Sequence, residues 1–168
     1  MAAIGHVAVG LAAARAHDWN WRTALAFSAL SLLPDADVLA FRLHIPYAAP
    51  FGHRGATHSF AFAALCGVVV WGAARNRRLA WLAALTVVTH PLLDAFTDGG
   101  LGVALFFPFT NERFFFPWQP LPVAPIGRGM LSARGLFVVA FEAASFLPLW
   151  LYALWPRRRR MDARPTAV

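Results

Sequence analysis

The chain has 168 residues, 59% of them hydrophobic and 14% charged, with a mean hydropathy of +0.54. Soluble domains carry about 45–50% apolar residues, so this is the composition of an integral membrane protein. The net charge of +7 comes from fifteen arginines gathered in a few clusters, and a nucleic-acid-binding protein is not this apolar, which excludes nucleic acid as a partner. The one cysteine, Cys66, lies in an apolar run and rules out an internal disulfide and a CxxC metal site.

Residues Ala3 to Ala16 are small and apolar, are interrupted by Gly5, His6 and Gly10, and end at Arg15. A secretory signal is the competing reading, with Ala14-Arg15-Ala16 as its cleavage site, but the run lacks a basic start and His6 breaks it. The pattern predicts a short first helix whose small residues let a neighbour approach closely. His17 to Arg22 is a polar turn carrying Trp19 and Trp21, residues that favour a membrane interface. Thr23 to Leu33 returns as a second apolar helix and ends at Leu33-Pro34-Asp35-Ala36-Asp37. Two carboxylates at i, i+2 after a proline suit a loop or helix start from which both turn toward one cation. An ordinary N-cap followed by an exposed acid is the plainer alternative.

Phe41 to Gly52, with Pro46, Tyr47 and Pro50, has no period and reads as a loop. His53-Arg54-Gly55-Ala56-Thr57-His58-Ser59 then stands immediately before the apolar run Phe60 to Ala74. Imidazole ligates zinc and related metals, and an adjacent arginine suits an anionic oxygen such as that of a phosphate. Arg75 to Arg78 is a basic turn, and Leu79 to Phe96 crosses back into Thr89-His90-Pro91-Leu92-Leu93-Asp94-Ala95-Phe96-Thr97-Asp98-Gly99-Gly100. His90 and Asp94, at i, i+4, leave one helix face together, and Asp98 continues the row. Pro91 frees the carbonyl of Val87 if the helix runs through it, or starts a fresh turn if it does not. For this pair alone, a capped helix end with an interfacial histidine is the competing account.

Gly99 to Arg134 has no helical period and is dense in phenylalanine and proline, which predicts a long aromatic loop on the membrane surface. Gly135 to Trp155 is an apolar segment of 21 residues, enough for a hydrocarbon core that needs about 20. Glu142 within it is expected to be neutral or paired and to face other helices. The expected fold is all-α: a polytopic membrane protein with about five apolar helices and the aromatic loop before the last. Residues 1–156 form one domain and residues 157–168 a basic cytoplasmic tail. Alternate crossings put ten arginines, those of the Arg15–Arg22 and Arg75–Arg78 turns and of the tail, on one side against five on the other. The positive-inside rule makes the richer side cytoplasmic. His6, Asp35, Asp37, His53, His58, His90, Asp94 and Asp98 then share the outer face, supplied by four segment ends as in multi-helix metal sites.

The motifs LLPDAD, HRGATHS, THPLLDAFTDGG and FPFTNERFFFPW, in that order and with His6 before them, resemble the bacterial inner-membrane-associated, metal-dependent hydrolases of the YdjM type over Met1 to Trp155. The resemblance implies a helical membrane protein of the inner membrane with metal ligands at His6, Asp35, Asp37, His53, His58, His90 and Asp94, and with Arg54, Ser59 and Arg113 nearby. The His/Asp set is also similar to that of the helical zinc-dependent phospholipases C, on ligand types alone. Seven candidate ligands exceed the three or four of one catalytic zinc, so two ions, zinc or manganese, are expected. The expected reaction is hydrolysis of a phosphoester by water activated between the ions. Arg54 and Arg113 hold the anion, and Asp35, Asp37 or Asp98 is either ligand or general base. Membrane lipids and an anionic small-molecule or lipid substrate are the expected partners. The rival is a metal-binding or metal-transporting membrane protein, which would place its ligands near the bilayer midplane on broken helices. A third account, a structural protein with capped helix ends, leaves the segregation of histidines to accident.

Overall fold

Two helical hairpins and a broken last helix build the molecule, described by a computed structural model for residues 1 and 3–156. The basic tail expected over residues 157–168 lies outside the described residues. Helix α1 (Ala3–His17) and α2 (Trp21–Leu32) form the first hairpin. Asn20 starts α2 with a capping box: its side chain accepts from the amides of Arg22 and Thr23 at 2.9 and 3.0 Å, while the Thr23 hydroxyl accepts from the Asn20 amide. Such a cap is worth about 1 kcal/mol. The close approach expected of α1 occurs at Gly10, where a Cβ would lie 2.6 Å from the carbonyl oxygen of Phe27 on α2.

The helical path does not stop at Leu33. A 3-10 stretch, Leu33–Leu43, continues it with Pro34 in the first turn, a position where the missing N–H costs little. This corrects the loop expected to begin at Phe41, since the left-handed His44 ends the helix instead. Together, Trp21–Leu43 makes 23 residues, long and apolar enough to cross a membrane.

Helix α3 (Phe60–Ala74) and α4 (Arg77–Ala95) form the second hairpin, turned by Arg75 in the left-handed region and capped by Asn76. Helix α4 runs through Pro91, so His90 and Asp94 do leave one face. After α4 the chain has two isolated bridges, Thr97 with Leu121 and Val103 with Phe114. Val103 and Leu105 pack with Ala95 under Phe114 and Phe116. The aromatic loop is therefore partly a small core of its own, with Phe109 and Trp118 left exposed.

The last apolar segment is not straight. Helices α5 (Ala133–Ser145) and α6 (Leu147–Leu154) meet at a bend of 62°, where Pro148 lacks the N–H that a continuous helix would use. Among the described residues the fold is all-helical, with Trp21–Leu43 qualifying as a membrane span and the α5–α6 pair as a second if the two are one broken span. Glu142 is fully buried on α5 and accepts the amide of Gly5 at 3.0 Å, which satisfies an N-terminal donor of α1 beside His6.

The two ends of the bundle differ. Arg78 donates to the carbonyl of Ala16 at 2.6 Å, and Arg15 to that of Ala153 at 3.2 Å, so both hairpin turns and the end of α6 gather at one basic end. The start of α1, the end of α2, the start of α3 and the end of α4 meet at the other.

Candidate metal centre

Each histidine at this second end is oriented by what its Nδ1 touches. His90 Nδ1 lies 2.7 Å from the carbonyl oxygen of Ser31. A carbonyl only accepts, so Nδ1 carries the proton and Nε2 is left with its lone pair. His58 Nδ1 lies 3.0 Å from Asp37 Oδ2, which turns its Nε2 inward in the same way. Both Nε2 atoms are buried and lack a hydrogen-bond partner.

Two carboxylates face those lone pairs. His58 Nε2 is 3.4 Å from Asp94 Oδ2 and 3.7 Å from Asp35 Oδ1; His90 Nε2 is 3.4 Å from Asp35 Oδ1 and 3.8 Å from Asp94 Oδ2. Ligand atoms around a tetrahedral ion with bonds of about 2.0–2.1 Å stand about 3.3–3.4 Å apart. Asp35, His58, His90 and Asp94 thus offer four ligand atoms at coordination spacing, all within 4.8 Å of one another. Two lone pairs and two negative charges suit a divalent cation, and leaving those imidazole nitrogens buried and unpaired would be costly otherwise.

Asp37, His53 and His58 also lie close enough to share an ion, but their contacts are those of hydrogen bonds. Asp37 Oδ1 is 2.6 Å from His53 Nδ1, and its Oδ2 accepts from the Arg54 amide at 3.0 Å and the Thr57 hydroxyl at 2.7 Å. The 3-10 turn puts Asp35 and Asp37 at opposite nitrogens of the His58 ring, one facing Nε2 and the other holding Nδ1. A neutral ring cannot bind ions at both nitrogens. Asp37 is accordingly the carboxylate that fixes the ring, and Asp37→Asn, which keeps the shape but weakens that hold, is expected to lower metal affinity about 10–100-fold by titration calorimetry.

Arg54 has φ of +59° and only 2% exposure. Its Nε stands 3.2 Å from Asp94 Oδ2, and its Nη1 donates to the Gly99 carbonyl at 2.9 Å. Gly100, at φ +92°, leaves the space: a Cβ there would meet Arg54 Nη1 at 3.0 Å and the Tyr47 hydroxyl at 2.9 Å. The glycine pair after α4 serves the arginine. His6 stacks on His90 with ring centroids 3.6 Å apart, and its Nε2 is 3.7 Å from Asp94 Oδ1, the oxygen that also accepts from the Met1 amino group. Asp35, 30% exposed, is the most open of the four grouped side chains, so solvent reaches the cluster past it.

Burial works against a charge on His58, but the negative carboxylates of Asp35, Asp37 and Asp94 around its ring outweigh it and push its pKa up to about 10. A cation bound there displaces that proton. Metal affinity should therefore rise about tenfold per pH unit between pH 6 and 8, for one proton released, and buffers of different ionisation heat would report that proton calorimetrically.

Three further expected residues make structural contacts. Asp98 would extend the His90/Asp94 row only if the helix continued, but α4 ends at Ala95. Its Oδ1 accepts the Val123 amide at 2.6 Å and its Oδ2 is 3.7 Å from Arg134, so it braces the aromatic loop. Arg113 directs its guanidinium to the carbonyls of Tyr47, Ala49, Gly102 and His53. Ser59 caps α3 through the Phe62 amide. The sequence reading missed Thr57, whose place one residue before His58 was the only signal. It also missed the Ser31 carbonyl, which has no side-chain signal at all.

A helical protein whose four segment ends hold a buried His/Asp cluster at one end, opposite a basic end, is the class that fold and site define. The chain belongs to the YdjM inner membrane protein family, whose model matches residues 1–160. It is 40% identical over 140 residues to the inner membrane protein YbcI of Escherichia coli (strain K12), covering 77% of this chain and 81% of that relative. No solved structure matches it.

Proposed function

We propose that this is a membrane-embedded, metal-dependent hydrolase of phosphoesters, with one divalent ion held by Asp35, His58, His90 and Asp94. The observation that carries the reading is the pair of buried, unpartnered Nε2 atoms facing two carboxylates at coordination spacing. Two imidazoles and two carboxylates suit zinc or manganese. When bound, such an ion supplies Lewis-acid polarisation of a phosphoryl oxygen and activation of water near neutral pH. The chain supplies the rest. Asp37 and the Ser31 carbonyl fix both imidazoles, Asp35 borders the solvent side where it can take a proton from attacking water, and Arg54 offers a buried cation to the substrate anion. A second ion, as the ligand count led us to expect, would draw on Asp37 and His53, which lie close enough to His58 to share one.

The same reading makes the chain a multi-pass protein of five crossings with the cluster at the outer face. The ten-to-five arginine distribution and the gathering of the basic turns at the opposite end support it. A phospholipid or lipid-linked phosphoester suits an aromatic loop that leaves Phe106 and Phe109 exposed and packs Phe106 on Phe60, two residues after His58.

The deciding experiment is metal analysis of detergent-purified protein combined with hydrolysis assays on phosphomonoesters, phosphodiesters and phospholipids. One equivalent of zinc or manganese with metal-dependent turnover supports the proposal. Two equivalents would replace the one-ion centre by a pair. Bound metal without turnover, together with metal flux in proteoliposomes, would favour the transporter.

A further inference from the structure

A well-formed groove lies away from the cluster. It runs between α3 and α4 toward the basic end and encloses about 490 Å³, within the roughly 300–1,000 Å³ typical of small-molecule sites. Gly67, Ala80 and Ala84 floor it, and Trp71 and Trp81 stand along its sides, 45% and 70% exposed. The floor is low because the two helices touch there: a Cβ on Gly67 would come within 2.9 Å of the Ala84 Cβ. Arg77 is the one charged residue lining the groove, and it stands where α4 begins. Its neighbour Arg75 is exposed at the turn, and the first turn of α4 contains no acid.

We propose that this groove binds an anionic phospholipid, with an acyl chain along the Gly67–Ala84 floor and the headgroup phosphate at Arg77 and Arg75. An apolar trough ending in unbalanced arginines matches a molecule that is apolar along its length and negative at one end. Basic pockets between membrane helices take up anionic headgroups in this way. Arginine suits a phosphate because its planar donors meet two oxygens together, and tryptophan is at home at the level where chain meets headgroup. A second copy of the chain fits less well. Copies inserted with the same orientation meet at the same depth, so a two-fold contact here would set Arg75 and Arg77 against their own counterparts. The proposal uses no residue of the His/Asp cluster and does not depend on hydrolysis.

The test is quenching of tryptophan fluorescence by brominated phosphatidylglycerol and brominated phosphatidylcholine in mixed micelles. Trp71→Phe and Trp81→Phe variants isolate the signal of the groove. The expected result is at least fivefold preference for phosphatidylglycerol at Trp71 and Trp81, reduced to about equal affinity in Arg75→Gln/Arg77→Gln. Val68→Phe, which adds bulk at an exposed groove position without adding a fluorophore, should cut quenching by either lipid at Trp81 several-fold, with circular dichroism unchanged. Equal affinity in the parent protein, or a preference that survives the double substitution, overturns the proposal. Cysteine cross-linking between copies at position 68 that is indifferent to added phosphatidylglycerol would overturn it too, by putting a second copy in the groove.

Discussion

Asp94→Asn should leave the purified protein with less than about a tenth of the parent's metal and correspondingly little hydrolysis. The substitution keeps the shape and removes the charge at the carboxylate on which the cluster converges. Asp94 faces His58 and His90 through Oδ2 and His6 through Oδ1. Weakening a group that only orients a ligand costs about 10–100-fold in affinity, so losing an anionic ligand itself should cost more than about 100-fold. His90→Gln should behave alike. The competing account is a buried ion-pair network with no metal, in which Asp94 neutralises Arg54 and the Met1 amino group. Breaking such a network costs about 3–5 kcal/mol of stability. The two accounts separate when the parent is stripped with a chelator: a metal centre loses thermal stability and regains it with zinc or manganese, whereas an ion-pair network does not respond. A parent that holds no metal, or an Asp94→Asn protein that keeps a full equivalent, would end the metal reading.

How much of this was legible beforehand differs from residue to residue. The four residues grouped at coordination spacing were all named, because polar residues at the ends of apolar segments stand out against their surroundings, and because i, i+4 spacing on a helix is a geometric statement. Which of the named residues would stop at orienting a ligand was not legible. Asp35 and Asp37 look equivalent in sequence, and only the 3-10 geometry of Leu33–Leu43 sends one to Nε2 of His58 and the other toward Nδ1. Asp98 misled because the periodicity that reached it outlived the helix by three residues. The break between α5 and α6 follows from Pro148, to which an apolar count over Gly135 to Trp155 is blind. The carbonyl that fixes His90 could not be read at all, since every residue has one and only the packing of α2 on α4 selects that of Ser31.

Arg113→Ala should destabilise the whole protein. The sequence offered Arg113 as an anion-binding residue in the middle of an aromatic loop. In the structure it bridges two loops. Nη1 donates to the carbonyls of His53 and Gly102 at 3.0 and 3.4 Å, and Nη2 to those of Tyr47 and Ala49 at 2.8 and 3.2 Å. The guanidinium also lies over the Tyr47 ring, 5.5 Å from its centre. Hydrogen bonds from a charged donor are worth about 1.5–3 kcal/mol each. The site is partly open to water, which will serve some of the freed carbonyls, so a total of about 2–4 kcal/mol is the reasonable scale. At about 2–4 °C per kcal/mol for a chain of this size, the melting temperature should fall by about 5–15 °C. Arg113→Lys tests what kind of role this is. An anion-binding residue is replaceable by lysine as far as the fold goes, because the charge is kept and no loop carbonyl depends on it. A clamp is not, because one ammonium cannot reach carbonyls on both loops in the plane that a guanidinium spans. The clamp also predicts a remote effect, since the His53 carbonyl it holds belongs to the residue whose ring meets Asp37. Both variants should therefore bind metal more weakly, in proportion to their loss of stability. A lysine variant with parental melting temperature and metal affinity would return Arg113 to the substrate.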